Sequence, residues 1–122
     1  VKIAESTENY LETIFVLGKQ GRRVRSVDVA NKLDFTRPSV SIAMKKLREK
    51  DYIAVDSDGY ITLSESGLGI AESMFERHML ISNWLISLGV EEETALEDAC
   101  RMEHVISEQS FEAIKSVIKK QT

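Results

Sequence analysis

A chain of 122 residues, 43% hydrophobic and 30% charged, suits one compact domain or two small ones and is too apolar to stay disordered. No apolar run approaches the ~18–20 residues that cross a bilayer, and no secretory signal opens the chain. A single cysteine excludes an internal disulfide and fits a reducing cytoplasm. We therefore expect a soluble cytoplasmic protein with no membrane partner, whose first residue, Val1, suggests a trimmed start.

The net charge of −4 hides a division. Residues 19–50 carry ten basic against three acidic side chains, a net of +7, whereas residues 51–122 carry five against fourteen, a net of −9. One part is expected to meet an anionic partner and the other to meet cations or protein.

Residues 5–18 predict a helix, with Tyr10, Leu11, Ile14, Phe15 and Leu17 at helical spacing, Ser6 or Thr7 as cap, and Gly18 and Gly21 at its end. Val24–Val27 allows only a brief strand or turn. Ser26 then caps a short helix to Leu33, with Val29, Ala30 and Leu33 apolar. Asp34-Phe35 forms a tight connection, and Thr36 caps the next helix with Pro38 in its first turn. Val40, Ala43, Met44 and Leu47 give that helix its buried stripe. Residues 52–55 and 60–63 predict two short strands around the turn Asp56-Ser57-Asp58-Gly59. Ser64 caps a long helix along which Ile70, Met74, His78, Ile81, Leu85 and Leu88 recur at spacings of three and four, until Gly89. Glu91-Glu92-Glu93 opens a helix to about His104, and Ser107 caps a last one, Glu108 to about Lys119. The fold class is mainly α: a winged helix-turn-helix over residues 1–63, then a helical metal-binding and dimerisation domain over 64–122.

Helix, short helix, turn, helix and hairpin is the order of a winged helix-turn-helix, with the second helix of the pair as reader. Thr36, Arg37, Pro38, Ser39 and Ser41 stand at the reader's N-terminus, where hydroxyls, a guanidinium and free N–H groups suit phosphates and base edges. Pro38 also suits a thymine methyl. Lys45 and Lys46 follow the phosphate backbone, and Arg25 and Ser26 join the DNA-binding set from the preceding helix start. Double-stranded DNA is the expected partner. The alternative is a basic-faced domain that binds protein, and Asp34 stands where a turn glycine is usual. Asp56 and Asp58 at the hairpin tip would repel phosphate, so the tip is expected to contribute little.

Cys100, Glu103 and His104 lie at i, i+3 and i+4 and share one helical face. A thiolate, a carboxylate and an imidazole together suit a divalent metal of the first transition row. The alternative is a small core cysteine beside a solvated Glu–His pair. Further ligands are available in His78 and in Asn9 and Glu12, which share a face at i, i+3 of the first helix.

The chain resembles the diphtheria-toxin repressor and manganese-transport regulator family of metal-dependent bacterial repressors. The resemblance runs from Thr7-Glu8-Asn9-Tyr10-Leu11-Glu12-Thr13-Ile14 to the last helix. It also covers Thr36-Arg37-Pro38-Ser39-Val40-Ser41 and Arg77-His78, and is most specific over Glu97–Ser107. It implies a homodimer that binds a palindromic operator when Fe²⁺ or Mn²⁺ is bound and represses metal-uptake genes. Cys100, Glu103 and His104 match ligand positions; Glu12 and His78 match ligands of the manganese branch; Asn9 stands where the family has Met or Asp. Ser82 and Leu96 stand at two ancillary positions of the iron branch, where neither suits a metal. The length implies the two-domain build of the manganese branch, while the cysteine belongs to the iron branch. Fe²⁺ is slightly preferred, with Co²⁺, Ni²⁺ or Zn²⁺ as surrogates. A metal-independent winged-helix regulator and a metal-dependent hydrolase are the competing classes. The hydrolase lacks an obvious cleft or glycine-rich phosphate loop, so no enzyme is expected.

Overall fold

The computed structural model describes residues 3–120. Among them are six helices and one two-stranded sheet: α1 (Glu5–Lys19), α2 (Ser26–Leu33), α3 (Arg37–Glu49), β1 (Ile53–Val55), β2 (Ile61–Leu63), α4 (Glu65–Ser87), α5 (Glu92–Val105) and α6 (Glu108–Lys120). The chain forms two compact units, the first ending at Ser73 and the second beginning at Met74, so the division falls within α4.

The first unit is the winged helix-turn-helix that the periodicity predicts. Leu11, Ile14 and Leu17 of α1 are buried with Val29 and Ala30 of α2 and with Val40, Met44 and Leu47 of α3. The start of α4 belongs to the same core, with Ala71 buried and Ile70 packed against it. That packing explains why the unit extends past the hairpin. Asp34 takes the left-handed conformation (φ 57°) at the end of α2, an arrangement Asp tolerates better than most residues. Thr36 caps α3 by accepting from the Ser39 N–H at 3.3 Å, and its own hydroxyl donates to Ser39 Oγ at 2.8 Å. The α1 cap differs from expectation. Ala4 occupies the position, with no side-chain bond, so neither Ser6 nor Thr7 serves. At α2 the helix begins at Ser26 itself; Arg25 precedes it, its N–H donating to the Asp28 carboxylate at 2.8 Å.

The wing pairs antiparallel with Ile53 opposite Leu63 and Val55 opposite Ile61. Val24 adds a single bridge on the far side of Ile61, whose N–H donates to the Val24 carbonyl at 2.7 Å. At the tip, Asp56 Oδ1 accepts from the N–H groups of Asp58 and Tyr60, both at 2.9 Å. Arg23 Nη2 lies 3.4 Å from Asp56 Oδ2. The first tip acid thus shapes its own turn and meets a nearby guanidinium.

The second unit packs α4, α5 and α6 around Ile81, Ala99 and Phe111, with Leu80, Leu85, Met102 and Ile106 against them. Ser107 caps α6 by accepting from the Ser110 N–H at 3.1 Å. Lys115 Nζ donates to Glu76 Oε2 at 3.1 Å, a bond that raises the Lys115 ammonium above its usual pKa.

Gly67 is a helical glycine with a packing reason. Ser64 caps α4 through the Gly67 N–H at 3.1 Å, and a Cβ at Gly67 would overlap the Tyr52 carbonyl oxygen. Because that obstacle is backbone, Gly67→Ala is expected to destabilise the winged-helix unit by about 1–3 kcal/mol despite the better helix propensity of alanine. Urea unfolding measures it; an unchanged midpoint would refute the close approach.

Candidate metal centre and nucleic-acid interface

The second unit gathers three of the sequence-predicted ligands. On α5, Ala95, Ala99 and Glu103 recur at i, i+4, i+8, and all three have 0% exposure. Two alanines leave space on that stripe, and the carboxylate fills its C-terminal end. Glu103 Oε2 lies 3.2 Å from Nδ1 of His78 on α4, and Oε1 lies 3.3 Å from Nε2 of His104. Each carboxylate oxygen therefore faces one imidazole. The His104 side chain is 3% exposed and that of His78 23%.

This donor set fits a divalent ion. Two donors at right angles, each about 2.1–2.2 Å from one ion, stand about 3 Å apart. Both N–O separations are close to that. His78 Nδ1 is buried and makes no hydrogen bond even at 3.2 Å from an oxygen, so the ring nitrogen is not aligned with that oxygen. A carboxylate with no exposure also needs compensating positive charge.

Arg77, next to His78, ties the two helices together. Its Nη1 donates to the carbonyl of Glu103 at 3.1 Å and to that of Ile106 at 2.8 Å, and the guanidinium carbon lies 5.1 Å from the Phe111 ring centroid. A cation on the last carbonyls of α5 also complements its dipole. Arg77 was placed by resemblance alone; the unsatisfied carbonyls at the end of any helix were the available signal.

Cys100 is exposed on α5. Glu12 is buried and Asn9 half-buried on α1 in the first unit. Ser82 is buried, but its hydroxyl donates to the Met79 carbonyl at 3.2 Å, and Leu96 is 40% exposed.

The predicted DNA-binding residues lie at the starts of α2 and α3 and along α3. Arg25, Thr36, Arg37, Pro38, Ser39, Ser41, Lys45 and Lys46 are exposed and Ser26 is half-buried. Arg25 and Arg23 also lie over the Tyr60 ring, at 4.4 and 3.7 Å from its centroid.

A winged helix with an exposed, cationic reading helix, continued by a helical unit with a carboxylate buried between two imidazoles, defines a class: metal-responsive DNA-binding proteins. Comparison with known proteins gives the family. Residues 2–61 match the N-terminal DNA-binding domain of the iron-dependent repressors, and residues 64–122 match their metal-binding and dimerisation domain. The chain is 32% identical to an uncharacterized HTH-type transcriptional regulator of Methanocaldococcus jannaschii, over 97% of this chain and 96% of that protein. It is 32% identical to the transcriptional regulator MntR of Escherichia coli, over 95% of this chain and 75% of that one. Among solved structures, the manganese regulator SloR superposes with a TM-score of 0.81 at 26% identity, over 93% of this chain and 53% of SloR. The chain thus spans nearly all of the Methanocaldococcus jannaschii relative and about half of SloR. The chain belongs to the iron-dependent repressor family, with both its DNA-binding and its metal-binding and dimerisation domains.

Replacing Arg77 with methionine removes two charge-assisted hydrogen bonds while keeping an apolar stem. We expect a loss of about 2–3 kcal/mol in urea unfolding, with Arg77→Lys recovering part of it. Full stability in Arg77→Met would remove the clamp from the account.

Proposed function

We propose that this protein is a metal-dependent transcriptional repressor that binds a palindromic operator as a homodimer when Fe²⁺ or Mn²⁺ is bound, and so shuts off metal-uptake genes. The observation that carries the metal dependence is the Glu103 carboxylate, with one oxygen toward His78 and the other toward His104. Family membership supports the DNA and dimer parts. The second unit also carries exposed apolar side chains (Met79, Ile86, Leu88, Val105) that suit a contact with a second copy.

His78, Glu103 and His104 would hold the ion. We assign Asn9, Glu12 and Cys100 to the remaining ligands on their family positions; Asn9 and Glu12 would link the metal to the first helix of the DNA-binding unit. The bound ion supplies positive charge to a buried carboxylate. The chain's own residues do the rest: Arg77 holds the end of α5 against α4, and α3 presents the reading face. The trio consists of oxygen and nitrogen donors that suit Mn²⁺ and Fe²⁺ alike, and the Cys100 sulfur would tilt the choice toward Fe²⁺. Fixing the reading helices of two subunits at one separation selects an operator with two related half-sites. A coupling of ~1–3 kcal/mol between metal and DNA is sufficient.

We read the protein as a cytoplasmic regulator and not an enzyme. Its relatives are transcriptional regulators, and no helix among the described residues is long and apolar enough to cross a membrane.

Anaerobic gel shifts on operator DNA test the proposal: Mn²⁺ or Fe²⁺ should produce a retarded complex and a chelator should abolish it. Equal binding after chelation ends the corepressor role. Metal at one hundred times its Kd should add about 2.7 kcal/mol to the unfolding free energy. In Glu103→Ala that gain should vanish while far-UV circular dichroism stays helical; an undiminished gain removes Glu103 from the site.

A further inference from the structure

Ile42 is 60% exposed, more than the other large apolar side chains identified as exposed in the first unit, Phe35 at 46% and Leu68 at 38%. It lies on α3, four residues after Pro38 and three and four before Lys45 and Lys46, so it continues the outward face that carries them. Its sequence neighbour Ser41 is exposed too, whereas Val40, Met44 and Leu47 turn inward. Ile42 also edges a cleft of about 390 Å³, shared with Ser39, Ala43 and Lys46. Folding does not call for this residue. A β-branched side chain is a weaker helix former than alanine, lysine or glutamine, and an exposed one offers little burial in return.

The reading helix of a helix-turn-helix enters the major groove, where the C5-methyl of thymine is the apolar group on the base-pair edges. We propose that Ile42 is a specificity residue: its side chain packs on a thymine methyl and makes the operator prefer thymine at that position. The inference rests on the DNA-binding reading above and adds a residue that hydrogen-bond chemistry would pass over. The cations around it decide the partner class. Arg37, Lys45 and Lys46 are exposed on the same helix and suit a polyanion, so a sheet of phosphates with a methyl between them complements this face better than an apolar protein surface.

The test uses the full chain loaded with Mn²⁺. Binding sites are selected from a random duplex pool, and each thymine of the selected site is then replaced singly by deoxyuridine, which lacks only the methyl. For the unaltered protein, one replacement in a half-site should weaken binding about fourfold, the worth of one buried methyl group. Ile42→Ala should bind the thymine site more weakly and no longer distinguish thymine from deoxyuridine at that position, with its melting temperature unchanged. Ile42→Val should keep the preference. If no deoxyuridine replacement weakens the unaltered protein, or if Ile42→Ala keeps the full discrimination, the methyl contact is overturned while the repressor stands. If no sequence is enriched and no duplex is retarded, both fall.

Discussion

A carboxylate with no exposure is the constraint on which the second unit depends. Removing an ionised Glu from water costs several kcal/mol, and the interior returns that only when opposite charge and hydrogen-bond geometry are well matched. Glu103 meets one imidazole at each oxygen. A divalent ion held by the carboxylate and both imidazoles would supply that charge. A ligand that relieves such a penalty binds the folded protein and not the unfolded chain, so metal binding and stability become one equilibrium.

The surroundings of Glu103 follow from that constraint. Ala95 and Ala99 complete its stripe with side chains too small to compete for the space. Arg77 spends its donors on the carbonyls of Glu103 and Ile106, which places its guanidinium on backbone and leaves the carboxylate to the imidazoles. Had Arg77 paired directly with the carboxylate, it would have supplied the compensating charge permanently, and a metal would have had little to add. A switch requires the charge to be missing when the effector is missing.

Periodicity made the elements legible. Val40, Met44 and Leu47, or Leu11, Ile14 and Leu17, announce their helices because burial of a stripe leaves a regular trace. Thr36, Ser64 and Ser107 announced three helix starts because each hydroxyl fills an orphan N–H. Where the signal failed, the deciding contact was remote in sequence. Nothing near Gly67 in the sequence explains a glycine in α4; the Tyr52 carbonyl against it does. The cap of α1 needed no side chain at all. Around Glu103, helical spacing grouped neighbours but could not tell which would be buried. Cys100, Glu103 and His104 are adjacent on α5, yet the buried stripe runs through Ala99 and Glu103 and leaves Cys100 exposed. His78 stands in an apolar stripe, where spacing alone equally suits a core histidine; its place 3.2 Å from the Glu103 carboxylate is a contact between helices.

The net charge of −4 is an average over two tasks with opposite requirements. Phosphate contacts need a local excess of cations over a Debye length of about 8–10 Å, not a basic protein, and residues 19–50 supply it with a net of +7. Residues 51–122, at −9, favour approach of divalent cations to the unit that carries the imidazole–carboxylate cluster. Placing both charge signs in one chain lets each unit attract its own ligand. It also makes the wing tip intelligible: Asp56 belongs by position to the acidic stretch, yet it serves its turn and faces Arg23, so its charge is partly met before any phosphate arrives. On the proposed reading, the charge that faces DNA is then left to α3 and the start of α2, where the side chains are exposed and the helix N-termini add their own partial charge.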